Sequence, residues 1–214
     1  MHKSGNGIRL TATLVSGFYG LAFFATGTQL PNLYSTILAY SPSAIGLGTV
    51  AFDLWMWKWP ILKRIVNRPD ISGAWLGTIV QAGPASNPGS DDSTPISCAL
   101  LVEQTYWTLS LTQMTEESTS YTTSVMIVSR AESKHKLVAY TYHNEPQQRF
   151  RYKSQPSNGA SHISVASSRP SQIEGRYWTD RGSTGDSSYR LVGNRTDFSS
   201  LEQISSYAKE ESGL

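Results

Sequence analysis

Two short segments hold most of the side chains able to bind or act on a small polar molecule. One is GRYWTDRGSTG, residues 175–185, and the other is YTYHNEP, residues 140–146. Successive side chains of a strand point to opposite faces. In the first segment Ile173, Gly175, Tyr177, Thr179 and Arg181 therefore share a face. In the second, Val138, Tyr140, Tyr142 and Asn144 do so, with Arg149, Arg151 and Lys153 following. Together the segments offer aromatic rings, an amide, a hydroxyl and guanidinium groups. Aromatic faces stack on nucleobases at about 1–3 kcal/mol per base, and the forked guanidinium matches phosphate oxygens. A small nucleotide with more than one phosphate fits that inventory. A second reading is equally open on these residues alone, because tyrosine is common in strands and exposed Arg–Asp pairs usually form a solvated face.

Catalytic constellations are not visible. No GxSxG elbow and no phosphate-binding glycine loop of Walker or dinucleotide type occurs. His135 and His143 bracket one predicted strand, too far apart along it to share a metal. Glu116 and Glu117 are neighbours in a predicted turn and point apart. The single cysteine, Cys98, lies in an apolar run and reads as a small buried hydrophobe. The expectation is a non-enzyme without metal or bound cofactor.

The elements that must position these residues divide the chain. From Leu10 to Phe52 there is no Lys, Arg, Asp or Glu. That stretch contains two apolar runs, about 10–30 and 42–59, each near the length needed to cross a ~30 Å hydrocarbon core as a helix. Ser41-Pro42 predicts the start of the second helix. Trp55, Trp57 and Trp59 mark its exit as an interfacial aromatic belt, and Lys58, Lys63, Arg64 and Arg68 follow. With Lys3 and Arg9 before the first run and no charge between the runs, both ends are expected in the cytoplasm. Asp53 has two readings, a carboxylate reaching headgroups or Lys58, and a polar contact between protomers.

From Gly73 onward, runs rich in Thr, Val, Ile, Tyr and Trp alternate with Gly, Pro, Ser and Asp clusters. Strands are predicted near 73–81, 95–104, 105–114, 121–129, 135–143, 161–166, 172–181 and 186–193. Turns are predicted over 82–93, 115–120, 130–136 and 155–159. IEGR, 173–176, also spells a protease-cleavage linker, but its strand pattern and the turn GSTGD after Arg181 make it one arm of a hairpin. About eight strands without intervening helix predict a small antiparallel, lipocalin-like barrel, whose interior can be filled or can hold one small ligand. Residues 197–211 carry Phe198, Leu201, Ile204 and Tyr207 at near-helical spacing, a short amphipathic helix that plugs or braces the barrel. The expected organisation is a membrane domain over 1–67 and a cytoplasmic barrel over 70–214. A net charge of +2 argues against a nucleic-acid polymer as partner.

Taken in order, the two apolar runs, the Trp-rich exit, RPDISGAWLGT (68–78), TEESTS (115–120), YTYHNEP and GRYWTDRGSTG make the chain resemble a known family. It is the two-transmembrane, β-barrel effector family of bacterial CBASS antiphage systems. The resemblance covers most of the chain. It implies a bacterial inner-membrane protein whose cytoplasmic barrel receives a cyclic dinucleotide made by a partner nucleotidyltransferase (a CD-NTase). Binding would drive homo-oligomerisation, contact with and disruption of membrane lipids, and abortive infection. The resemblance does not say which residues touch the ligand. Strand alternation puts forward Tyr140, Tyr142, Asn144, Arg149, Tyr177, Thr179 and Arg181, with Thr115 of TEESTS. The chain departs from the family at SQPSNG, 154–159, where Ser157 stands in the place of a histidine. Two other functions predict different barrels. A carrier of an apolar ligand needs an apolar cavity, and a structural adaptor needs a filled interior.

Overall fold

The computed structural model describes residues 3–25, 33–82, 94–129 and 135–212. The chain forms two compact units, Met1–Asn67 with Thr105–Thr108, and Arg68–Gln104 with Leu109–Leu214.

The first unit is helical. Its elements are α1 (Lys3–Ala25), α2 (Leu33–Leu54), a 3-10 turn at Met56–Lys58, and α3 (Pro60–Val66). α2 begins well before the Ser41-Pro42 start expected for it and runs through Pro42. Proline inside a helix deletes one ladder bond, yet here α1 packs against the same turn. Ser43 Oγ donates to the Ser16 carbonyl at 3.0 Å and Ser16 Oγ to the Pro42 carbonyl at 3.4 Å. A Cβ on Gly46 would fall on Ser16 Oγ, so only glycine allows this crossing. Small residues at a helix crossing let two backbones approach closely.

Among the described residues, no helix is long and apolar enough to cross a membrane. The two single-helix spans expected from the apolar runs are thereby corrected. Glycine, serine and threonine recur through both helices and dilute their apolar character. Even so, large apolar side chains on α1 and α2 are exposed, among them Leu14, Phe18, Leu21, Ile45 and Leu47, with Phe18 at 76% and Phe24 at 86%.

Of the exit tryptophans, Trp55 and Trp59 are exposed and Trp57 is buried. Asp53 is buried as well. Its Oδ1 accepts the Trp107 backbone N–H at 2.9 Å, and its carbonyl accepts that of Tyr106 at 3.0 Å. Phe52, Tyr106 and Trp107 pack edge-on around this anchor. Residues 105–108, expected to begin a strand, instead form a tight turn. Thr105 Oγ1 accepts the Thr108 N–H at 3.0 Å.

The second unit is a closed antiparallel barrel of eight strands in sequence order. They are β1 (Gly73–Ala82), β2 (Ile96–Gln104), β3 (Leu109–Thr115), β4 (Ser118–Ser129), β5 (Lys136–Pro146), β6 (Ser157–Val165), β7 (Gln172–Thr179) and β8 (Thr184–Gly193). β4 starts inside the expected turn 115–120. Most of the predicted turns 82–93 and 130–136 lies outside the described residues. The β3–β4 ladder is short, covering only Thr112–Met114. Beyond it the Thr122 hydroxyl takes the place of a backbone partner, bonding both the N–H and the carbonyl of Leu111.

Alternation works as expected, with Trp75, Leu100, Val102, Leu111, Val138, Ile163, Ile173 and Tyr189 forming one internal core. One end of the barrel is closed by the RPDISGAW segment. Gln104 bridges the Pro69 carbonyl and the Ile71 N–H at 2.8 and 2.9 Å, and the Trp75 indole donates to the Ile71 carbonyl at 3.0 Å. Buried Asp70 pairs with Arg169 and accepts the Ser72 hydroxyl at 2.6 Å. Gly73 has φ +131, which side-chain-bearing residues rarely adopt, and a Cβ there would strike the Gly193 carbonyl. α4 (Leu201–Ser212) braces the barrel from outside and does not plug it. Ile204 packs on the outward residues Ala74, Ala99, Leu101 and Met114.

Candidate ligand-binding cavity

The barrel interior is layered. Toward the Asp70 end it is filled; toward the other end it opens into a cavity of about 540 Å³. The wall of this cavity is mostly polar. Ser97 comes from β2, Gln113 and Thr115 from β3, Ser118 and Ser120 from β4, Tyr142 and Asn144 from β5, Ser157 from β6, and Tyr177 and Thr179 from β7. Arg181 and Ser183 stand on the β7–β8 turn, and Ile79, Ile96 and Leu201 supply apolar surface.

Two tyrosines shape the space, and a glycine on the next strand seats each of them. Tyr142 on β5 pairs with Gly159 on β6, where a Cβ would meet the phenol carbon Cζ at 2.4 Å. Tyr177 on β7 pairs with Gly185 on β8, where a Cβ would meet ring carbon Cε1 at 2.6 Å. Each ring therefore lies across its glycine, against the wall, and leaves the lumen open. Burial pushes both phenols above their ordinary range, with Tyr140 and Tyr177 adding to the shift at Tyr142 and Arg181 opposing it. Both hydroxyls stay neutral at physiological pH and can donate.

Among the described residues Arg181 is the one cation of this wall, which also holds Glu116 and Glu117. Its Nη1 donates to Ser154 Oγ at 3.1 Å and to the Gln155 carbonyl at 3.3 Å, which aims the guanidinium along the rim. A guanidinium carries five N–H donors, so capacity remains for an anion. Asn144 accepts the Ser120 hydroxyl on Oδ1 at 3.0 Å. Ser157 Oγ is buried and has no hydrogen-bond partner.

Six of the eight residues put forward from the sequence reach the cavity, namely Thr115, Tyr142, Asn144, Tyr177, Thr179 and Arg181. Two of these six use their hydroxyls locally. Thr115 Oγ1 accepts the Ser118 N–H at 3.0 Å, and Thr179 Oγ1 accepts the Ser183 N–H at 3.1 Å. Tyr140 points inward but sits one layer deeper, buried in the core beneath Tyr142 with ring centroids 6.1 Å apart. Arg149 is outside the cavity wall. It lies on a 3-10 turn, stacked 4.7 Å from the Phe150 ring, whose other cation is Lys153 at 5.0 Å. Alternation gives the face of a residue but not its depth, which accounts for Tyr140. Ser120 and Gln113 were not singled out from the sequence, and Ser157 was noted only as standing in the place of a family histidine. Their only signal was membership of TEESTS, SQPSNG and a polar β position, and the cross-strand register that joins them cannot be read along one strand. Among the described residues, no cluster of three His, Cys, Asp or Glu side chains could hold a metal ion.

Residues 66–190 match a protein family described as Cap15, cyclic dinucleotide receptor domain. The chain is also 23% identical over 179 residues to CD-NTase-associated protein 15 of Staphylococcus schleiferi, an alignment covering 84% of this chain and 92% of that protein.

Proposed function

The chain belongs to the Cap15 cyclic dinucleotide receptor domain family, and from that membership we propose that its barrel is a receptor, not a catalyst, for a cyclic dinucleotide in a CBASS antiphage system. The observation that carries the proposal is the pair of tyrosine shelves, Tyr142 over Gly159 and Tyr177 over Gly185, in one cavity with Arg181 at its rim. Two ring faces suit two bases. One guanidinium and several serine hydroxyls suit phosphates, and of the two carboxylates on the same wall, Glu116 and Glu117, the second is engaged by Lys153. The same wall argues against a fatty acid, whose chain would strand these hydroxyls and amides without partners. The cavity itself argues against an adaptor with a filled barrel.

The second part of the proposal concerns the helical unit. Apolar area of the kind presented by Leu14, Phe18, Leu21, Phe24, Ile45 and Leu47 is not left in water. We propose that lipid of the bacterial inner membrane meets it, with both termini on the cytoplasmic side, and that ligand binding favours contact between helical units of several copies. Disruption of the membrane and death of the infected cell would follow from that assembly. A ligand shifts such an equilibrium only by its preference for the assembled state. The messenger would come from a CD-NTase.

Thermal unfolding of the full chain in detergent micelles tests the receptor reading, with cyclic dinucleotides, linear dinucleotides and fatty acids as ligands. A ligand at one hundred times its Kd stabilises the folded state by about 2.7 kcal/mol, a rise of about 5–10 °C at the usual scaling. The expected result is a rise with a cyclic dinucleotide that Arg181→Ala removes. A response to fatty acids alone, or to no ligand, overturns the proposal.

A further inference from the structure

The join between β3 and β4 leaves part of a strand edge open. Its ladder stops at Thr112–Tyr121, and continuing that register would bring Leu109, the first residue of β3, level with Ser124. β4 runs on to Ser129, paired with β5 to its end. Over Val125–Ser129 no described strand pairs with the other side of β4. A row of backbone N–H and C=O groups is therefore presented along that edge. Natural edges of this kind are blunted by lysine, proline or a bulge. Residues 118–129 contain no proline and no charged residue, and the bulge of β4, at Thr122–Ser124, precedes the open stretch.

The side chains at this edge are apolar. Val125 and Ile127 pack on the barrel core. Met126 and Val128 point the other way and are 61% and 38% exposed. Their cross-strand partners on β5 are Ala139 and Leu137. Beyond these, β6 sets His162 and Ser164. The apolar outer patch is thus confined to the two strands at the open edge.

Backbone groups accept any strand, so side chains choose the partner. The partner must bring an uncharged strand with an apolar outer face and an edge of its own to pair. Among the described residues, β4 is the strand with those properties, so a second copy of this chain supplies them. In an antiparallel pair, residues directly opposite share a face. A two-fold axis at Ile127 sets Met126 of one copy against Val128 of the other, and Ile127 against itself. Centring on Met126 would oppose Val128 to Ser124, and centring on Val128 would oppose Ile127 to Ser129, so Ile127 gives the better match. Such a contact is isologous and closes both edges at once.

We infer that two copies pair through the Val125–Ser129 edge of β4, antiparallel about Ile127, joining their barrels into one continuous sheet. This goes beyond the receptor reading and requires no ligand. Five residues make an edge only about 16 Å long, too short to bury the ~1,200 Å² of a standard stable interface. The pairing is therefore weak in dilute solution and strengthens where copies are held close together.

The test uses the full chain in detergent micelles. A Met126→Cys chain and a Val128→Cys chain, tagged for different masses, are mixed and oxidised. Cys98 is buried and does not compete. Opposite Cα atoms in an antiparallel pair lie within disulfide range. Random collision yields the mixed disulfide at about twice each homotypic one, whereas pairing about Ile127 should raise that ratio to about ten or more, because only the mixed pair then has disulfide geometry. In parallel, sedimentation of the parent chain should show a mass that rises with concentration. Met126→Lys with Val128→Lys should abolish that rise, since like charges would then face each other. Both positions are exposed, so the thermal midpoint and the response to cyclic dinucleotides should stay as in the parent. A random disulfide ratio, or association unchanged by the two lysines, overturns the inference and leaves the receptor reading standing. Loss of the cyclic dinucleotide response in the parent chain overturns the receptor reading alone.

Discussion

Gly159→Ala provides a direct perturbation of the tyrosine shelf. The new Cβ would lie 2.4 Å from Tyr142 Cζ, 2.5 Å from its Oη and 2.8 Å from the Trp178 carbonyl oxygen. The first two atoms are the far end of a side chain and can move. The third is backbone, paired across the β6–β7 ladder at Ala160–Trp178, and can yield only slightly. Tyr142 must therefore leave the wall and swing into the lumen. Overpacking of this kind costs about 1–3 kcal/mol, or about 2–12 °C in midpoint for a domain of this size. The displaced phenol would occupy the space proposed for a base, and loss of one stacked base is worth about 1–3 kcal/mol, about 5- to 150-fold in Kd. The assay is a double-mutant cycle with Tyr142→Ala, read by thermal unfolding and ligand titration. If the clash is with the ring, the double variant should recover much of the stability that Gly159→Ala alone loses, giving a coupling of 1 kcal/mol or more. A Gly159→Ala chain as stable as the parent, with unaltered ligand affinity, would refute the placement of Tyr142 across Gly159. Equal losses with and without Tyr142 would assign the cost to the Trp178 backbone contact.

Three further outcomes are expected. Asp53→Ala leaves the half-buried Trp107 N–H without its acceptor, a loss of about 1–2 kcal/mol, and a red shift of tryptophan emission from the helical unit should accompany it. Ile204→Ala removes the buried anchor of α4. It should cost about 2–5 kcal/mol, and any loss of ligand affinity should be small and follow that loss of stability, because Leu201 is the α4 residue on the cavity wall and Ile204 is not; a loss of binding at unchanged stability would contradict the bracing role of Ile204. In alkaline solution, burial raises Tyr140 from 10.0 and Cys98 from 9.0, each to about 12. The unfolded chain then releases these protons first, so stability is fully present below about pH 9 and falls as pH rises toward 12, by about 2–3 kcal/mol for Tyr140. Tyr140→Phe should flatten that fall in urea unfolding measured from pH 8 to 12.

The barrel strands were legible because each is a short β-branched and aromatic run between Gly, Pro and Ser clusters, so local composition and period agree. The boundary errors fall where a distant contact overrides the local pattern. Residues 105–108 have strand composition, but Asp53, more than fifty positions away, binds the backbone of Tyr106 and Trp107 and holds a turn. Pro42 has the signature of a helix start, yet α2 continues through it against Ser16 of α1. The apolar runs overlap both long helices, but the glycine, serine and threonine spread through them leave no helix among the described residues long and apolar enough to cross a membrane.

For the cavity, alternation along β5 and β7 was enough to turn Tyr142, Asn144, Tyr177 and Thr179 inward, since the face of a strand residue follows from its parity. Parity carries no information about depth, so Tyr140 and Tyr142 were indistinguishable until the core was seen to fill one end of the barrel. Nor does it carry register. That Gly159 lies under Tyr142, that Gly185 lies under Tyr177, and that Ser157 stands beside Asn144 without a partner are properties of neighbouring strands. They arise when closure of the barrel sets one strand against the next, and no segment of the chain contains them alone.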